Sequence, residues 1–68
     1  MTISNKMKQT VASAEGVLAN LESFALETQD NNAKQLFQGL AQSQKSVVDS
    51  LRGRLQYIQD EEPEYKQV

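Results

Sequence analysis

Residues 33–58 read AKQLFQGLAQSQKSVVDSLRGRLQYI. Apolar side chains fall at Ala33, Leu36, Phe37, Leu40, Val47, Val48, Leu51, Leu55 and Ile58. Steps of three and four mark one face of an α-helix. No other segment of the 68-residue chain is as long or as regular. Asp30-Asn31-Asn32, just before it, is the only mid-chain cluster of turn-forming residues, and Asp30 is placed to cap the helix that follows. Downstream, Asp60-Glu61-Glu62-Pro63 stops the helix, because proline has no N–H and disfavours helical geometry in the residue before it.

The segment upstream repeats the pattern. Met7, Val11, Ala14, Leu18, Leu21, Ala25 and Thr28 alternate steps of four and three, the spacing of a heptad seam. Ile3, Thr10, Val17 and Phe24 form a second row beside it, seven residues apart. Thr2 or Ser4 supplies a short oxygen to cap the start. The fold class is therefore all-α: an antiparallel two-helix hairpin occupying residues 1–60. The first helix is expected over about 4–28, the turn over 29–31 and the second helix over about 32–60, with residues 61–68 as a C-terminal tail. At 1.5 Å per residue the helices run roughly 36 and 45 Å.

In a tight hairpin, facing residues have numbers summing to about 58. Phe37 then faces Leu21, Leu40 faces Leu18, Val47 faces Val11, Leu51 faces Met7 and Leu55 faces Ile3. Gln44 interrupts the apolar row opposite Ala14. It either fixes the register, as seam polar residues do in coiled coils, or reaches water at the edge of the stripe. Gly16, Gly39 and Gly53 fall inside the helices, at a cost of about 1 kcal/mol each relative to alanine. Close approach of a neighbouring backbone would account for them; otherwise they are tolerated or mark a bend.

Both apolar stripes are wider than one partner helix covers. A chain this short has little core, and with no cysteine it has no disulfide to reinforce it. A second copy is the simplest cover. The expectation is a homodimeric four-helix bundle, with Val17, Phe24, Leu36 and Val48 among the contacts between chains. Arg54, Tyr57 and Tyr65 are docking candidates for another partner.

Little chemistry is available. The absence of histidine and cysteine removes the usual general base, the usual soft metal ligands and any cysteine- or histidine-based triad. No catalytic, metal or cofactor-binding residue is assigned, and the chain reads as a non-enzyme with no cofactor. The alternative is a ferritin-type bundle holding a small ligand or metal, to which Glu15, Glu22 and Asp49 would contribute. Such sites use glutamates and Glu-x-x-His pairs on inward faces, and here no glutamate lies on the seam. With seven basic and nine acidic residues, net charge −2, the chain lacks the basic stripe of a nucleic-acid binder. It also lacks a long apolar run for membrane insertion or a signal peptide, so a cytoplasmic location is expected. Lys45 and Asp49, like Asp49 and Arg52, are spaced for weak surface pairs. A secreted helical hairpin with a Trp-x-Gly turn does not fit, since tryptophan is absent.

Several stretches carry a family resemblance: Lys6-x-Lys8-Gln9-Thr10, Leu21-Glu22-x-Phe24-Ala25-x-x-Thr28-x-Asp30, Ala33-Lys34-x-x-Phe37, Leu51-x-x-Arg54-Leu55 and the ending Glu61-Glu62-Pro63-Glu64-Tyr65-Lys66. In these the chain resembles a family of short bacterial proteins from spore-forming Firmicutes, described as a domain of unknown function. The resemblance implies a helical hairpin. It also implies a sporulation-linked adaptor or structural role toward a membrane protein, because the domain accompanies genes for spore membrane proteins and occurs fused to a membrane protein. A forespore or spore location follows from the same resemblance. It names no substrate and no catalytic residue.

Overall fold

The computed structural model describes residues 2–61. Two helices, α1 (Ile3–Glu27) and α2 (Asn31–Glu61), pack side by side as an antiparallel hairpin. The molecule measures 49 × 17 × 11 Å, and its radius of gyration is 15.4 Å. A compact chain of this length would have a radius near 11 Å. The hairpin is one layer of two helices, so each helix has a single neighbour.

Local chemistry sets the ends. Thr2 caps α1: its side-chain oxygen accepts the Asn5 N–H at 3.0 Å, and its carbonyl accepts the Lys6 N–H at 3.0 Å. Thr28 ends α1 by turning extended, ψ 142°, while its N–H still reaches the Phe24 carbonyl. The Thr28 hydroxyl accepts the Asp30 N–H. Asp30 then caps α2, with Oδ1 accepting from Asn32 N at 2.9 Å and Ala33 N at 3.4 Å. Its negative charge sits at the positive end of the helix dipole. Because Asp30 is the cap, α2 begins at Asn31, and residues 28–30 make the turn. Glu61 remains in α2; residues 62–68, including Tyr65, lie outside the described residues.

The seam of α1 follows Ser4, Met7, Val11, Ala14, Leu18, Leu21 and Ala25. In α2 it follows Phe37, Ala41, Gln44, Val48, Leu51, Leu55 and Ile58. This corrects the expected pairing at three positions: Ile3 is 55% exposed, and Ser4 takes its place opposite Leu55. Leu40 and Val47 do not face Leu18 and Val11; they are 44% and 46% exposed, and Ala41 and Val48 take their places. Val48 is 3% exposed, so its surface is spent inside the hairpin and cannot serve as an inter-chain contact. The reason is one turn further on. A seam through Leu40 and Val47 continues, at heptad spacing, to Arg54. A seam through Ala41 and Val48 continues to Leu55. Burying a guanidinium without a partner costs several kcal/mol, so the second rotation wins.

Two polar side chains enter the seam. Gln44 is half-buried, and its Nε2 donates to the Ala14 carbonyl at 2.9 Å. That carbonyl has a second lone pair beyond the one its own helix uses. The bond joins the two helices at the register expected, which favours the register-fixing reading over the solvent-facing one. Ser4 is fully buried, and its hydroxyl finds no hydrogen-bond partner among the described residues.

The glycines have no packing reason. A Cβ placed on Gly16, Gly39 or Gly53 meets nothing within 4 Å, none has positive φ, and α2 runs unbroken past Gly53. All three sit on the outward side of their helix. The triple change Gly16→Ala, Gly39→Ala, Gly53→Ala is expected to stabilise the fold by about 2–3 kcal/mol in urea unfolding, since the sites are far apart and additive. Ser4→Ala, which removes a buried unsatisfied hydroxyl, should add about 1 kcal/mol in the same assay.

Candidate interaction face

The rotation of α2 sorts the exposed residues onto two flanks. One flank carries Ile3, Thr10, Val17 and Phe24 from α1 and Leu36, Leu40, Val47 and Tyr57 from α2. Among the described residues every large exposed apolar side chain lies here except Leu26, which is 82% exposed on the other side. Two contacts fix the assignment. On the apolar flank the Phe24 and Phe37 rings sit 5.3 Å apart at a tilted 45°. On the opposite flank the Arg52 guanidinium pairs across the hairpin with Glu15.

The apolar flank is also free of charge over most of its length. Its positions between Thr10 and Phe24 hold Ser13, Val17 and Asn20; those from Ala33 to Ser50 hold Leu36, Leu40, Ser43 and Val47. Charges appear only near its ends. Lys6 and Arg54 flank the open end, and Glu27 and Asp30 flank the turn end. The Arg54 guanidinium lies over the Tyr57 ring, 4.9 Å from its centroid. These two docking candidates therefore engage one another at one edge of the face.

The opposite flank is polar. Lys8, Glu15, Glu22, Lys45 and Arg52 project there. A shallow depression on this side, lined by Glu22, Leu26, Lys34, Gln38 and Lys45 among others, is open to solvent and has no enclosed polar group. Arg52, spaced for Asp49 along its own helix, reaches Glu15 instead. Among the described residues no group of three or more Asp or Glu side chains is placed to hold a metal ion.

Of the four expected inter-chain contacts, Val17, Phe24 and Leu36 share the exposed flank, and Val48 does not. Leu40 and Val47, assigned inward from sequence, belong to the flank instead. The competition between Arg54 and Leu55 for the seam was the signal that could have found them.

The sequence matches a family model, a protein family of unknown function, DUF1657, over residues 7–55. The chain belongs to the DUF1657 family. The matched span covers the seams of both helices except Ser4 and Ile58, together with the turn and the register-setting Gln44, and it stops at Leu55, short of the acidic ending. No curated protein and no solved structure matches the chain. No helix among the described residues is long and apolar enough to cross a membrane.

The two adjacent valines of α2 separate the flanks experimentally. Val48→Ala should lower the unfolding free energy by about 2 kcal/mol at every protein concentration, because its cavity opens inside the hairpin. Val47→Ala should cost little in dilute solution and progressively more as concentration rises, since only another molecule covers that side chain. Urea unfolding at two concentrations measures both.

Proposed function

We propose that this DUF1657 chain is a non-enzymatic helical interaction module that works by self-association, two hairpins closing into a four-helix bundle. One observation carries the reading: among the described residues all the large exposed apolar side chains but Leu26 are gathered on one flank that is free of charge over most of its length. Isolated exposed leucines are ordinary on a protein surface, but a contiguous apolar strip bounded by polar residues is the mark of an interaction site. The single-layer hairpin supplies the need, because each helix buries only the strip facing its one neighbour. Covering the flank adds a second neighbour to both helices.

A sporulation-linked adaptor role toward a membrane protein goes with this reading and rests on the family resemblance alone. In it the bundle is the scaffold, and the ends of the hairpin are the surfaces left for the other partner.

Sedimentation equilibrium tests self-association. The expected result is a dimer of the wild-type chain at about 100 µM, and a monomer with retained helicity for Val17→Asp combined with Leu40→Asp. Both sites are exposed in the single hairpin, so the variant keeps its fold. A wild-type chain that stays monomeric at that concentration overturns the proposal.

A further inference from the structure

We infer that the occupant of the apolar flank is a second copy laid turn over open end, rather than turn over turn. The inference rests on the self-association proposed above and specifies its geometry. Two isologous arrangements bring identical flat faces together. A two-fold axis along the hairpin keeps both turns at one end and sets α1 over the partner's α2. A two-fold axis across the hairpin puts each turn over the other's open end and sets α1 over the partner's α1.

Size suits a second copy. The 25 residues of α1 give the flank a length of roughly 37 Å, and the hairpin is 17 Å wide. The footprint is roughly 630 Å² per copy, or about 1,300 Å² for the pair, inside the range of stable interfaces.

Charge selects the arrangement. Lys6 and Arg54 mark the open end of the flank, and Glu27 and Asp30 mark the turn end. Turn over turn, Lys6 of one copy lies against Arg54 of the other, and four cations crowd one end. Turn over open end, Lys6 meets the partner's Glu27, and Arg54 approaches the partner's Asp30. The middle fits as well. Val17 then lies against the partner's Val17, Ser43 against the partner's Ser43, and Leu40 against the partner's Val47; Phe24 falls opposite Thr10 and Leu36 opposite Ser50, so the apolar match is confined to the centre and charge sets the orientation. Exposed charge pairs contribute little affinity, but like charges placed together penalise the wrong orientation.

The chain has no cysteine, so single cysteines report proximity cleanly. Sedimentation first establishes whether a dimer forms; a monomer overturns self-association itself. With a dimer in hand, Lys6→Cys protein is mixed with Glu27→Cys protein and treated with a short bis-maleimide. Covalent heterodimer is expected. The mixture of Lys6→Cys with Arg54→Cys should give none, and efficient product there overturns the orientation while leaving self-association standing. Charge reversal gives an independent sign. Lys6→Glu should weaken dimerisation several-fold at low salt, and adding Glu27→Lys should restore it. A Lys6→Glu chain that dimerises more tightly than wild type means that residue 6 faces Arg54, and overturns the inference.

Discussion

The seam of α2 can accept Leu55 or Arg54, but not both, and the rest of the molecule depends on that choice. Two overlapping rows of side chains run along this helix at the same heptad spacing. One passes through Leu40, Val47 and Arg54, the other through Ala41, Val48 and Leu55. Up to Arg54 the first row is the more apolar, with Leu40 where the second has Ala41. The guanidinium overturns that preference, because its burial beside α1 would have no compensating carboxylate. Leu55 goes in, Val48 follows it to 3% exposure, and Leu40 and Val47 are left outside.

That rotation also explains why the hairpin is thin at its centre and greasy at its side. The inward row of α1 includes Ser4, Ala14 and Ala25, and that of α2 includes Ala41 and Gln44. Small residues let the helices approach, but they bury little apolar area. Gln44 recovers part of the loss by donating to the Ala14 carbonyl, which ties the helices at one longitudinal position. The bulky residues of the flanking row, Val17, Phe24, Leu36, Leu40 and Val47, remain at the surface, with Phe24 only leaning on Phe37. Beside a seam that already holds Leu18, Leu21, Phe37, Leu51, Leu55 and Ile58, this row leaves a second apolar strip at the surface, and it is this strip that the proposed second copy covers.

Charge is sorted in two directions. Across the hairpin, acids and bases collect on the flank where Glu15 meets Arg52, which keeps that side solvated. Along the hairpin, among the described side chains, the apolar flank carries the cations Lys6 and Arg54 near its open end and anions near its turn. The first separation makes one side sticky and the other not. The second gives the sticky side a direction.

Much of this could be read from residue order alone. The two helices, the Asp30 turn between them and the placement of Gln44 opposite Ala14 follow from local spacing, because helix periodicity and capping are short-range effects. So does the lack of histidine and cysteine chemistry. The bounds moved by a residue at the turn because the capping side chain, not the turn cluster as a whole, starts the second helix. Periodicity was silent on which of two parallel rows turns inward. That depends on the whole length of α2 lying against α1 at once, where a single charged residue near the open end decides the rotation for valines a turn or two away. Arg54 beside Leu55 is the one hint of this in the residue order, and it takes the packed pair of helices to make Val48 core and Val47 surface.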